Sequence, residues 1–128
     1  MDMVRRVMSH FREMADNGAG VLLITHDLEQ ALEVADRVVV FYAGTTVEDA
    51  DVKDFEKEET LRHPYSKALW RAMPQNGFQF IRGVQPYVKD LPEGCPFGPR
   101  CEKCTEECKN AIPYQEVRNG KVRCIHAE

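Results

Sequence analysis

An α/β unit followed by a small irregular α+β extension with a cysteine cluster is the fold class this sequence predicts, on three observations. Residues 2–42 alternate between helical periodicity and short continuous apolar runs, the pattern of helices packed on a parallel sheet. From 75 to 99 the periodicity gives way to a Gly- and Pro-rich stretch. All five cysteines, Cys95, Cys101, Cys104, Cys108 and Cys124, then fall in the last third. The boundary is expected near 44–52, so that 1–48 form one unit and 49–128 the other.

Val4, Val7, Met8, Phe11, Met14 and Ala15 repeat at helical spacing, with Arg5, Arg6, Arg12 and Glu13 between them. This predicts an amphipathic helix from Asp2 to Asp16, ended by Asn17-Gly18, both tolerant of a left-handed cap. Val21-Leu22-Leu23-Ile24-Thr25 has the pattern of a strand buried on both faces. Asp27 suits the cap of a second helix, with Gln30 three residues on and Leu28, Ala31, Leu32 and Ala35 as its inner face. Val38-Val39-Val40-Phe41-Tyr42 is a second buried strand, and Thr45 to Glu48 a short antiparallel edge after the turn at Gly44. The expected order of helix, strand, helix, strand implies a right-handed crossover. Two such strands would leave an apolar face and a sheet edge in need of cover.

Ala50 to Arg62 is charged and expected to be helical. His63-Pro64-Tyr65 opens a further helix, with Pro64 in its first turn and Tyr65, Ala68, Leu69 and Ala72 on one stripe. Pro74 stops it near Met73.

Composition narrows the function classes. A net charge of -4 over 128 residues argues against nucleic acid as the main partner. The N-terminal stretch mixes arginines with apolar residues, unlike a signal peptide, and no apolar run approaches the roughly 20 residues that span a bilayer. A soluble protein is expected, with any membrane contact peripheral or through a partner. Without a signal peptide, metal binding is a better default for the cysteines than disulfides.

Three constellations carry chemistry. His26, in Ile24-Thr25-His26-Asp27, follows the end of a predicted strand, where α/β proteins place groups that meet ligands. An imidazole there suits a phosphate or a positioned water, and equally a structural helix cap. His63 to Met73 reads as a proline-started amphipathic helix, with core packing sufficient to explain it. The cysteines are open to several readings. Cys101-Glu102-Lys103-Cys104, with Cys108 and either Cys124 or His126, suits tetrahedral zinc. Four thiolates suit an iron–sulfur cluster, and free thiols remain the plain alternative. Arg100, Lys103, Lys109 and Arg123 lie beside the cysteines in sequence, where they suit the negative charge of a thiolate site.

Leu22-Leu23-Ile24-Thr25-His26-Asp27-Leu28, Ala35-Asp36-Arg37-Val38 and Tyr42-Ala43-Gly44 together resemble the switch region of ABC transporter ATPases. The resemblance implies that residues 1–48 are the C-terminal part of that ATPase domain. It makes His26 the catalytic, nucleotide-binding switch histidine, acting on the terminal phosphate of ATP held with Mg, and puts Asp27 near the interface of two ATPase subunits. His63-Pro64-Tyr65-Ser66-Lys67-Ala68-Leu69, Ile81-Arg82-Gly83-Val84-Gln85-Pro86, Leu91-Pro92-Glu93-Gly94-Cys95, Cys95-Pro96-Phe97-Gly98-Pro99-Arg100-Cys101 and Cys124-Ile125-His126 resemble, in order and spacing, the C-terminal extension of oligopeptide and dipeptide transporter ATPases.

That second resemblance implies part of an ATP-hydrolysing subunit that powers peptide import. Its implied partners are the membrane subunits of an ABC transporter, a second ATPase subunit as homo- or heterodimer, and, indirectly, a peptide-binding protein. Its implied place is the cytoplasm, peripheral on the inner face of the cell membrane. It also implies a [4Fe-4S] cluster on Cys95, Cys101, Cys108 and Cys124, with Cys104 outside the set; zinc is the alternative metal. The family's phosphate-cradling loop, its Ser-Gly-Gly signature and its Asp-Glu strand do not occur in these 128 residues. The chain is therefore expected to start just after that strand, near Asp2-Met3, as a fragment that does not hydrolyse ATP alone. A free-standing iron–sulfur or zinc module, regulatory or structural, is the competing function.

Overall fold

A computed structural model describes residues 3–81 and 83–127, without the side chain of Val88. The predicted helix start at Asp2 and the Arg82 of the Ile81-Arg82-Gly83 string lie outside the described residues. The described residues form a small mixed α/β fold with three α-helices and a four-stranded antiparallel sheet.

Helix α1 spans Met3–Asp16 and ends as predicted: Gly18 N–H reaches Ala15 O at 3.0 Å and Ala19 N–H reaches Met14 O at 3.1 Å. Helix α2 spans Leu28–Val34, and Asp27 Oδ1 caps it by accepting from Gln30 N–H at 3.2 Å. Arg12 ties the two helices together. Its guanidinium donates to Val34 O at 3.0 Å and to Asp36 Oδ1 at 2.9 Å, so a cation sits at the C-terminal end of α2.

Residues 21–25 do not form the predicted strand. They run as irregular chain, with Leu22 88% and Ile24 87% exposed. A strand needs neighbours for its backbone N–H and C=O groups, and none of the described strands lies beside it. The parallel crossover is therefore absent. Strand β1, Arg37–Tyr42, instead pairs antiparallel with β2, Thr45–Asp51, through the Ala43-Gly44 turn. The predicted antiparallel edge is present and longer than expected. Plain alternation along β1 leaves Val39 and Phe41 outward, 45% and 61% exposed, while the register shift between Val40 and Phe41 is taken up by Val47 on β2. The apolar face expected to need cover is indeed open.

The predicted helix at 50–62 is not α-helical. β2 continues to Asp51, and two 3-10 turns follow, Val52–Glu56 and Glu58–Thr60. Local caps explain them: Asp51 Oδ1 accepts from Lys53 N–H at 2.9 Å, and Thr60 Oγ1 donates to Lys57 O at 2.8 Å. Helix α3, Pro64–Ala72, starts and stops as predicted, with Pro64 in its first turn. Tyr65, Ala68, Leu69 and Trp70 pack on a core of Val40, Tyr42, Val47, Ala50, Phe55, Leu61 and Phe97.

The sheet closes with strands β3, Gln115–Val117, and β4, Gly120–Val122, in the order β1-β2-β4-β3. Arg118 and Asn119 take φ 48° and 67°, as a two-residue hairpin turn of primed type requires. Glycine is needed at 120 because a Cβ there would run into the Arg62 guanidinium. That guanidinium is almost fully buried. It donates to Glu48 Oε2 at 3.2 Å, Asp54 Oδ2 at 2.8 Å, Val117 O at 2.5 Å and Arg118 O at 2.8 Å. One side chain thus joins β2, the first 3-10 turn and the last hairpin. No helix among the described residues is long and apolar enough to cross a membrane.

Candidate metal centre

The site is built from three short backbone pieces, each tight because its amides bond locally. Cys95-Pro96-Phe97 leads into a 3-10 turn at Gly98–Arg100, with Gly98 N–H to Cys95 O at 3.1 Å and Cys101 N–H to Gly98 O at 3.1 Å. Phe97 anchors this loop: it is buried edge-on against Tyr42 at 5.3 Å and beside Tyr65 at 5.2 Å. A second 3-10 turn, Glu106–Lys109, carries the buried Cys108. Cys95 N–H donates to Cys108 O at 2.8 Å and joins the two pieces. Their approach is so close that a Cβ at Gly94 would collide with the Cys108 carbonyl. The third piece follows β4: Arg123 N–H bonds Val47 O at 2.8 Å and so delivers Cys124 to the same place.

Together these pieces bring all five cysteines to one small pocket, also walled by His63, Pro64, Ile112, Ile125 and His126. Burial pushes the Cys95, Cys101 and Cys104 thiols up, and Cys124 up to about 11, with repulsion among all five thiols adding to it: Cys104 and Cys108 act on Cys101, and Cys108 on Cys104. Such thiols are poor nucleophiles in the metal-free protein and gain most from a cation that binds their deprotonated form. Among the described residues no three His, Cys, Asp or Glu side chains come together tightly enough to hold one metal ion. Five thiols from three segments nevertheless line one common space. Cys104 faces that space from its exposed rim.

The negative charge of such a site is met by amides. The N–H groups of Phe97 and Gly98 face Cys95. Lys103 N–H stands 3.4 Å from Cys101 Sγ, and His126 N–H 3.4 Å from Cys124 Sγ. None of Arg100, Lys103, Lys109 and Arg123, the four basic residues expected to help, lines the pocket, but the Lys103 charge favours the Cys101 thiolate and that of Lys109 the Cys104 thiolate. Arg100 reaches Tyr42 Oη at 3.2 Å, Lys109 bonds Glu106 at 3.1 Å, and Arg123 lies over the Tyr114 ring at 4.9 Å.

His63 is the site residue that sequence reasoning missed. It is fully buried, its Nε2 stands 3.9 Å from Cys95 Sγ, and burial lowers its pKa to about 4. Its place in sequence, 32 residues before Cys95, held no signal beyond the His-Pro-Tyr helix start. His26 and Asp27 lie elsewhere. His26 is exposed on the wall of a wide groove between α1, α2 and β1, lined also by Leu22, Ile24 and Phe41.

A family model described as the C-terminal region of oligopeptide/dipeptide transporters matches residues 47–108. The chain is 38% identical over 110 residues to a dipeptide transport ATP-binding protein of Haemophilus influenzae, covering 81% of this chain and 33% of that protein. It is 40% identical over 119 residues to an oligopeptide transport ATP-binding protein of Mycobacterium tuberculosis, covering 87% of this chain and 19% of that one. It is 37% identical over 108 residues to an oligopeptide transport ATP-binding protein of Escherichia coli, covering 80% and 32%. The chain therefore spans a third or less of the length of these curated relatives.

Proposed function

We propose that this chain, whose residues 47–108 match the family model of the C-terminal region of oligopeptide/dipeptide transporters, is part of an ATP-hydrolysing subunit that drives peptide import through an ABC transporter. The observation that carries the reading is similarity to peptide transport ATP-binding proteins over four fifths or more of the chain. In this reading 1–48 end the ATPase domain, 49–128 form its extension, and β2 with Glu48 lies at the seam. His26 acts on the terminal phosphate of ATP in the presence of Mg, and Asp27 stands at the contact with a second ATPase subunit. The groove that holds His26, with Leu22, Ile24, Val39 and Phe41 open on it, is covered by the rest of the ATPase domain. The membrane subunits receive the conformational change from the membrane's cytoplasmic side.

The thiol pocket is the second part of the proposal. It is read as a [4Fe-4S] site on Cys95, Cys101, Cys108 and Cys124 rather than a zinc site. Supporting this, the thiols converge on one pocket from three chain segments, and four thiolates are the usual ligand set of such a cluster. Bound there, a cluster would supply a covalent cross-link among those segments and a redox-active group. The residues' own work is to present thiolates and to direct amide N–H groups at their sulfurs.

The test uses a full-length protein containing this segment, assembled with its membrane subunits in vesicles. His26→Ala is expected to reduce ATP turnover and peptide uptake at least a hundredfold while nucleotide binding stays nearly intact, because the imidazole serves the reacting phosphate (roughly 10²–10³ for one electrostatic contact). Uptake unchanged by His26→Ala overturns this assignment.

A further inference from the structure

His63 is held on every side. Its backbone N–H donates to Glu48 Oε1 at 2.7 Å, which fixes the residue against β2. Its Nδ1 accepts from Tyr65 N–H at 3.0 Å and caps α3. A nitrogen that accepts carries no proton, so the neutral ring has its proton on Nε2. Nε2 faces Cys95 Sγ at 3.9 Å, and the Arg123 carbonyl, one residue before Cys124, also accepts a hydrogen bond from the imidazole, so the one N–H on Nε2 meets both acceptors. The ring packs 6.1 Å from Phe97, in the loop between Cys95 and Cys101. One imidazole thus touches the segments that bring in three of the cysteines.

We infer that His63 is a positioning residue of the thiol site: its Nε2–H, shared between the Arg123 carbonyl and Cys95 Sγ, holds that sulfur facing the pocket beside the segment that brings in Cys124. The inference deepens the cluster reading above and rests on it for its consequence. A hydrogen bond to a ligand sulfur stabilises the more negative state of the site and fixes the ligand's direction. Glu48 extends the support, since the carboxylate that sets His63 also pairs with Arg62 in the centre of the sheet. The sulfur is thereby tied to β2 and, through the β1–β2 hairpin, to the part of the chain that contains His26.

Two measurements on the full 128-residue chain test this. In the metal-free protein, long-range proton–nitrogen spectra are expected to show His63 protonated on Nε2 alone, and Cys95→Ala is expected to move that resonance. A proton on Nδ1, or a resonance indifferent to Cys95→Ala, overturns the inference whatever the protein does with iron. In anaerobically reconstituted protein, iron release to a chelator is followed. His63→Asn keeps an oxygen to cap α3 but does not reach Cys95; it is expected to release iron about 10–100-fold faster, with a lower reduction potential. His63→Gln carries an N–H donor near the Nε2 position and is expected to stay close to the wild-type rate. Equal release from wild type and His63→Asn overturns the positioning role. A wild-type chain that takes up no iron refutes the cluster reading, and the spectra then decide the His63–Cys95 pair alone. They decide it equally if the His63 variants fail to fold.

Discussion

Replacing Glu48 by leucine is expected to bring this protein close to unfolding, although the change is nearly volume-neutral and apolar. Glu48 and Arg62 have side-chain exposures of 0% and 1%, with 3.2 Å between Oε2 and Nη1. Removing one member of such a pair strands a buried charge, at about 3–5 kcal/mol. Asp54, 2.8 Å from the same guanidinium and 26% exposed, still offsets part of that charge, so the lower end applies. Leucine also removes the acceptor of two backbone N–H groups, Arg62 at 3.1 Å and His63 at 2.7 Å. Each orphaned amide costs about 1–3 kcal/mol. Allowing for overlap between these losses, the total is about 4–6 kcal/mol, against roughly 5–15 kcal/mol of stability for a domain of this size. Urea unfolding followed by the fluorescence of the single tryptophan, Trp70, measures it; its indole bonds Phe55 O at 2.9 Å, beside the network. With a urea slope of about 1.5 kcal/mol per molar, the midpoint should fall by about 3 M. Glu48→Gln keeps an oxygen for the amides and gives a smaller measurable step, about 2 kcal/mol, should the leucine variant not fold. Asp49→Ala is the control, because its pair with Arg37 at 2.9 Å is exposed and worth at most about 1 kcal/mol. A Glu48→Leu loss no larger than that of Asp49→Ala refutes the reasoning.

Acid should destabilise the metal-free chain through His63. Its folded pKa of about 4 lies below the ordinary 6.5, so the unfolded chain takes up a proton that the folded one refuses as pH falls from 6.5 to 4. Stability present above 6.5 is therefore lost through that window, by about 3 kcal/mol, and the difference between urea midpoints at pH 7.5 and 4 should shrink in His63→Gln. Anaerobically purified protein from iron-replete cells is expected to contain about four iron and four sulfide per chain. Serine at Cys95, Cys101, Cys108 or Cys124 should each lower that content sharply, whereas Cys104→Ser should retain it. Stoichiometric zinc without iron overturns the cluster, and iron lost from Cys104→Ser but kept in Cys108→Ser overturns the choice of ligands.

Helices were legible where their signals are local. α1 stops, and α2 and α3 start and stop, within a residue or two of the positions read from Asn17-Gly18, Asp27 and Pro64, because caps act over three or four residues. The last hairpin went unread. Its signal was Asn119-Gly120 between short alternating segments, but three-residue strands carry too little pattern to stand out. Residues 50–62 misled because charged side chains at helical spacing suit a 3-10 turn held by Asp51 and Thr60 equally well.

By itself the sequence determined part of the inventory: a mixed α/β chain, the helices α1, α2 and α3, and a cysteine-bearing C-terminal region similar to that of peptide transporters. Each is written in nearest neighbours or in a motif string. Only the tertiary structure decided which apolar run becomes a strand, and that β2 pairs with β4 some seventy residues later, Glu48 opposite Val122. It alone placed Arg62 at the centre of three segments and the His63 ring against Cys95. The physical reason is common to all of these. A strand, a buried charge and a buried imidazole each need a partner to satisfy their polar groups, and that partner lies far along the chain, where periodicity and spacing do not reach.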